Sequence, residues 1–240
     1  MKLLEWEAAP GAYRVAFTTR LGGVSGGPFE SLNLGILTED DPACVVENRR
    51  RLAAAVGADA ETATMAWQVH GNVVTEAKPR GILVRTVFER CDGLWSDRPG
   101  QAMALLTADC YPVALARATG DPALCVLHVG WRGLLGGIVE SGAATLGQGL
   151  LHAAIGPGIG PCCYEIGEEV AGPFRERFGD DVVAERRLDL AEATERALRR
   201  AGVVGVERAG HCTACEPDLF YSHRRDRGRT GRQGVIAYIR

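Results

Sequence analysis

No apolar run in this chain approaches the ~20 residues of a membrane-spanning helix, and the first residues carry acidic side chains where an export signal needs its apolar stretch. A cytoplasmic protein that does not enter membranes is expected. Charge of one sign is also missing: 27 Lys and Arg against 30 Asp and Glu leave a net charge of -3. There is no global basic field, so wholesale binding to nucleic acid is not expected. Histidine is scarce, with five in the chain and no His-x-His pair. That excludes the oxygen-reducing copper cluster of a multicopper oxidase, which needs many histidines. No Walker-type Gly-x-x-x-x-Gly-Lys-Ser/Thr occurs, and the Gly156-x-Gly158-x-Gly160 run is broken by two prolines and departs from the dinucleotide pattern. It reads as a structural turn.

What is present is an ordinary globular composition, 46% hydrophobic and 24% charged, over 240 residues. This suits one domain. Without an export signal the eight cysteines read as thiols rather than as a disulfide framework. Apolar spacing predicts a helix over 42–56 stopped by Gly57, another over 132–146, a third over 165–178, and a fourth that Asp189 caps and that runs to residue 200, with Glu192 in the capping-box position. Strands are predicted over 12–18, 64–68, 72–76, 102–106, 113–116, 123–127, 151–155, 203–206 and 235–239. Residues 91–93 read as a turn continued by 94–96, and 80–90 is ambiguous. Interspersed short strands and helices predict mixed sheets of α+β or α/β type.

Two of the apolar runs end in residues with chemistry. The first delivers Thr107, Ala108, Asp109 and Cys110; the second delivers His128, followed by Trp131, Arg132 and Gly133. His70 lies upstream in Gln68-Val69-His70-Gly71. Two imidazoles and a thiol suit a zinc ion with an open position. The same three residues permit copper with a weak axial ligand such as Met103, or a Cys110–His128 nucleophile–base pair.

Three further stretches carry weaker signals. Cys212-Thr-Ala-Cys215 is half of a structural zinc site, and the best complement is Cys162-Cys163. Adjacent cysteines diverge, so these are expected to be free thiols. The five arginines among residues 223–232 could grip phosphate; one or two lining a pocket and the rest solvated is the expectation. The glycine-dense loop 20–28 serves equally as a ligand approach or a surface turn.

Seven stretches together resemble the laccase-domain family, once called multicopper polyphenol oxidases and now associated with purine nucleoside phosphorylase activity. They are Phe17-Thr-Thr-Arg-Leu-Gly-Gly-Val-Ser, Ser31-Leu-Asn-Leu-Gly35, Gln68-Val-His-Gly71, Thr107-Ala-Asp-Cys110, His128-Val-Gly-Trp-Arg-Gly133, Ile155-Gly-Pro-Gly-Ile-Gly-Pro-Cys-Cys-Tyr164 and Leu219-Phe-Tyr-Ser-His-Arg-Arg225. The resemblance covers nearly the whole chain and implies a single α+β domain over 1–240. Its layers would run αββα, with mixed β-sheets flanked by helices. It places zinc on His70, Cys110 and His128, with copper as the alternative metal. It implies phosphorolysis of adenosine, inosine and methylthioadenosine, and deamination of adenosine. Polyphenol oxidation and amidase-type editing of cell-wall precursors are the alternatives. Cys215 and His223 depart from the closing motif and are given no shared function.

The expected partners are purine nucleosides and phosphate, and a monomer is expected. Phosphorolysis needs cations for phosphate, for which Arg20, Arg49, Arg132 and Arg225 are the candidates, while Asn33 and Gln68 offer hydrogen bonds to ribose or base. Deamination needs a carboxylate to carry a proton, and Asp92 and Asp109 are the candidates.

Overall fold

The structure is a computed structural model that describes residues 1–83 and 88–240. Among these residues the chain forms β1 (Leu3–Glu5), β2 (Tyr13–Thr18), α1 (Pro42–Val56), β3 (Thr64–Met65), β4 (Val74–Glu76), β5 (Gly93–Ser96), β6 (Met103–Thr107), β7 (Tyr111–Arg117) and β8 (Leu124–Val129). It continues with α2 (Trp131–Leu135), α3 (Ile138–Leu146), β9 (Leu151–Ile155), α4 (Glu168–Phe178), β10 (Val183–Ala184), β11 (Arg187–Leu188), α5 (Leu190–Arg200), β12 (Val203–Arg208) and β13 (Gln233–Ile239). One sheet has the order β1-β2-β13-β6-β3 and the other β12-β9-β7-β8-β5-β4, while β10 and β11 form a separate pair. The β3–β6, β4–β5 and β9–β12 pairings are parallel and the rest antiparallel.

Alternation along the strands decides the layering. On β7 and β8, Val113, Leu115, Cys125, Leu127 and Val129 face the helices α2 to α5. The intervening Ala114, Ala116, Leu124 and Val126 face the other sheet and meet Val15, Phe17, Leu105 and Val235 there. Across the five-stranded sheet, Ala16, Ala104 and Ile236 turn outward onto Leu52 and Val56 of α1. The layers are therefore α, β, β, α, the α+β arrangement expected. Strands buried on both faces read as continuous apolar runs, which is how β7 to β9 are visible in the sequence.

Helix α1 occupies the predicted span, with Asp41 capping its start and Gly57 ending it at φ 74°. Asp189 caps α5 by accepting the Glu192 N–H at 2.9 Å. The reciprocal half of a capping box is not made: Glu192 pairs with Arg196 and Arg208 instead. Three expectations change. The helix over 132–146 is two helices, because Gly137 takes φ 89° and Gly136–Gly137 turns the chain between them. Residues 93–96 are a strand, paired with β4 and β8. The strands expected over 64–68 and 72–76 shorten to β3 and β4, leaving His70 on the loop between. Of the ambiguous stretch 80–90, residues 84–87 lie outside those described.

Two of the connections matter for the site. The chain passes from the five-stranded to the six-stranded sheet between β3 and β4, and again between β6 and β7. His70 lies on the first crossing and Cys110 on the second.

Candidate metal centre and adjoining cavity

Asp92 organises the centre. It is fully buried just before β5. Its Oδ1 accepts from the His70 backbone N–H at 2.9 Å and lies 2.8 Å from His128 Nδ1. Its Oδ2 accepts the N–H groups of Val69 (3.1 Å) and Gly71 (2.7 Å). One carboxylate thus folds the 69–71 loop, in which His70 is held at φ 59°, and orients the His128 ring. Burial works against this carboxylate, yet the bonds from His128 and the loop N–H groups hold its pKa below the ordinary value. A proton on His128 Nδ1 shared with Asp92 leaves Nε2 free for a metal, a usual arrangement for a ligating imidazole.

His128 continues the inter-sheet face of β8 beyond Val126 and is 4% exposed. The His70 and His128 rings meet edge to face, with centroids 4.8 Å apart. One ligand atom from each of His70, Cys110 and His128 lies within 4.8 Å of the others. Desolvation opposes charge on Cys110 and His128, but each stabilises the other. The imidazolium and hydrogen bonds from both histidines hold the Cys110 thiol at about 6, while the thiolate and Asp92 lift His128 to about 9.

The arrangement fits a metal such as zinc. Zn–S near 2.3 Å and Zn–N near 2.0 Å place tetrahedral ligand atoms about 3.5 Å apart, and a thiolate with two imidazoles is a donor set this ion favours. Gly130 keeps the room: a Cβ there would lie 3.0 Å from Cys110 Sγ and 3.2 Å from His70 Cδ2. A Cys–His pair alone would also suit a nucleophile. The second histidine against the same sulfur, on its own anchored loop, is what a metal site adds.

A cavity of about 620 Å³ opens beside the trio, within the range of small-molecule sites. His70, Cys110 and His128 line it, as do Arg49 and Gln68. Arg49 is 2% exposed; its Nε donates to Leu34 O and its Nη1 to Ile82 O, and burial lowers its pKa to about 10. The Gln68 amide closes onto the backbone of Leu106, donating at 2.6 Å and accepting at 2.9 Å.

The remaining expected binding residues are not among those lining the cavity. Arg20 donates to Glu30 O and Pro217 O and lies over the Tyr221 ring. Asn33 is buried and shapes the 33–40 loop through Thr38, Asp40 and the Gly35 and Arg232 N–H groups. Arg132 lies over Trp131, 4.1 Å from the ring centroid. Arg225 pairs with Asp226 and donates to Thr213 O and Phe220 O. The glycine-dense loop is structural where it is tightest, since a Cβ on Gly23 would lie 2.1 Å from Ser31 O.

In place of these, Arg224 and Arg232 line the cavity, with His223 and Tyr164. The basic stretch was expected to supply one or two such arginines, but nothing in its spacing distinguishes them from Arg225. Among the described residues Arg49, Arg224 and Arg232 have no carboxylate partner. Asp109, at φ 88°, accepts from Thr213 Oγ1 and from the Arg224 N–H, both at 2.7 Å. Asp92 and Asp109, the expected proton carriers, are therefore both engaged in holding the site together.

A family model described as multi-copper polyphenol oxidoreductase laccase matches residues 14–240. A purine nucleoside phosphorylase of Deinococcus radiodurans is 43% identical over 236 residues, 92% of this chain and 87% of that protein. One from Pseudomonas aeruginosa is 37% identical, covering 98% of this chain and 96% of that one. The crystal structure of YlmD from Geobacillus stearothermophilus superposes with a TM-score of 0.93 at 34% identity, covering 100% of this chain and 97% of that one.

Proposed function

Because the chain belongs to the multi-copper polyphenol oxidoreductase laccase family, whose relatives above are named purine nucleoside phosphorylases, we propose that it is a zinc-dependent purine nucleoside phosphorylase. The observation that carries this reading is the cavity wall: three arginines without carboxylate partners share one cavity with the His70–Cys110–His128 trio. Unpaired cations around a cavity are what an inorganic phosphate needs.

In the reaction a phosphate oxygen bonds to ribose C1′ as the C1′–N9 bond breaks, and the purine leaves with the electron pair and takes up the proton that the attacking phosphate gives up. Arg49, Arg224 and Arg232 hold the phosphate and offset its charge. Arg49 is fixed in place by the carbonyls of Leu34 and Ile82, so orienting it costs little entropy when the anion arrives. Met65, Phe88, Leu106 and Ile159 give the cavity an apolar side that suits a purine or a methylthio group, in keeping with adenosine, inosine and methylthioadenosine as substrates. When bound at the trio, zinc supplies Lewis acidity next to that cationic wall. Adenosine deamination is a lesser activity at the same site, because neither Asp92 nor Asp109 is placed free to shuttle a proton. The span 1–240 acts as one catalytic domain, as a monomer in the cytoplasm.

The zinc-loaded protein is incubated with adenosine, with and without phosphate, and the products are identified. Adenine and ribose 1-phosphate that appear with phosphate alone support the proposal. Inosine formed at the greater rate without phosphate reverses the order of the two activities. No turnover of any of the three nucleosides, with amidase action on cell-wall precursors or with copper-dependent oxygen uptake, sinks it. Arg232→Gln should raise the KM for phosphate about tenfold, the loss of about 1.4 kcal/mol expected for one charge-assisted contact, and leave the KM for nucleoside within a factor of three.

A further inference from the structure

Cys162, Cys163, Cys212 and Cys215 were expected to be free thiols because adjacent cysteines diverge. The fold overturns the premise. Strands β9 and β12 run parallel as neighbours at the sheet edge, so the loops leaving their C-terminal ends emerge side by side. Cys162 and Cys163 lie on the first loop, Cys212 and Cys215 on the second. The two are laced by the backbone: Thr213 N–H donates to Gly158 O at 3.0 Å. A tight turn bends the first loop, with the N–H groups of Cys163 and Tyr164 both donating to Gly160 O. Both adjacent cysteines then reach the same sulfur: Cys162 Sγ and Cys163 Sγ each lie 3.3 Å from Cys215 Sγ.

All four sulfurs lie within 4.8 Å of one another. A disulfide needs about 2.05 Å, and no pair is joined. A zinc ion with Zn–S near 2.3 Å at its centre sets tetrahedral sulfurs about 3.8 Å apart; the two 3.3 Å separations fall about half an ångström inside that edge, and all four sulfurs lie within 4.8 Å of one another. The Gly160 N–H donates to Cys212 Sγ at 3.2 Å, a contact that stabilises a thiolate. Gly160 also leaves the space: a Cβ there would lie 3.3 Å from both Cys162 Sγ and Cys212 Cβ.

We propose that these four cysteines bind a second zinc ion, in a closed tetrathiolate site that is structural rather than catalytic. Four protein ligands leave no open position, the mark of a structural site. The loops it joins form part of the wall of the cavity. Ile159 and Tyr164 on the first loop line it, and Thr213, between Cys212 and Cys215, holds Asp109 beside Cys110. The site stands independently of which reaction the first centre performs.

The test uses the full chain, purified in a non-thiol reductant with zinc supplied and then desalted. Two zinc ions per chain are expected. Cys212→Ser/Cys215→Ser should retain one, and His70→Ala/His128→Ala should also retain one. X-ray absorption at the zinc edge of the wild type gives a readout that does not depend on a variant folding. With both sites filled, the mean coordination is about 2.5 sulfurs per zinc; with the trio alone it is about one. A single zinc per chain with about one sulfur, or a Cys162–Cys215 or Cys163–Cys215 disulfide after purification under reductant, overturns the proposal.

Discussion

Asp92→Asn removes one charge from a buried carboxyl and changes nothing in its shape. Four donors converge on Asp92, two on each oxygen. Asparagine keeps one oxygen, so two hydrogen bonds are lost and an NH₂ faces two donors. Bonds to a buried charge contribute about 1.5–3 kcal/mol each, giving about 3–6 kcal/mol before relaxation. The 69–71 loop is partly open to water, which recovers some of that, and a loss of about 2–4 kcal/mol is expected. If the amide oxygen turns toward Val69 and Gly71, the NH₂ faces the His70 N–H and His128 Nδ1; the ring relieves the second clash by carrying its proton on Nε2, which recovers one bond as NH₂ to Nδ1 but occupies the atom the metal needs. Zinc affinity should then fall about 10- to 100-fold. The assays are urea unfolding of the metal-free protein and zinc competition against a chromophoric chelator. A carboxyl held below its ordinary value contributes stability at neutral pH that is lost as the pH falls through the carboxylate range, so the metal-free wild type should lose more stability on acidification than the Asn variant. Unfolding within 0.5 kcal/mol of wild type together with zinc affinity within twofold would refute the role given to Asp92.

Other expectations follow from single contacts. Gly130→Ala puts a methyl against Cys110 Sγ and His70 Cδ2; it should weaken zinc about tenfold in the same competition assay and barely move the urea midpoint of the metal-free protein. Asp189→Ala removes the cap of α5 and should cost about 1 kcal/mol in urea unfolding, with zinc binding at the trio unchanged. Thr213→Val deletes the hydroxyl that holds Asp109 Oδ1; it should lower kcat severalfold while leaving the zinc content of the four-cysteine cluster intact.

How much of this was legible beforehand differs from layer to layer. The two-faced burial of β7 to β9 writes itself as apolar runs, and the caps of α1 and α5 are local signals, so these elements were readable. The break at Gly136–Gly137 was not, since apolar spacing continues across it and only a positive φ interrupts the helix. The metal trio was visible as residue types at strand ends, and the fold brings the three together. Which arginine enters the cavity was not visible: Arg224 and Arg225 are neighbours, and only the partners that Arg225 finds in Asp226, Thr213 and Phe220 remove it from the wall. The four cysteines were visible as a half-site and its complement, but the reading as free thiols missed their meeting for a related reason. Their convergence depends on β9 and β12 being parallel neighbours, a fact of topology some 50 residues apart in sequence that spacing along the chain does not encode.

The two sheet-to-sheet crossings give the trio a mechanical meaning. His70 and Cys110 sit where the chain leaves one sheet for the other, and His128 is built into a central strand of the second. An ion gripped by all three is a rivet through both layers. Its affinity and the fit of one sheet upon the other are then linked reciprocally: sliding the layers spoils the ligand set, and filling the ligand set resists sliding. A cavity opened among Leu105, Val126 and Val235, away from any metal ligand, would therefore be felt as weaker zinc binding, and the ion in turn would raise the melting temperature of the entire sandwich rather than of one loop.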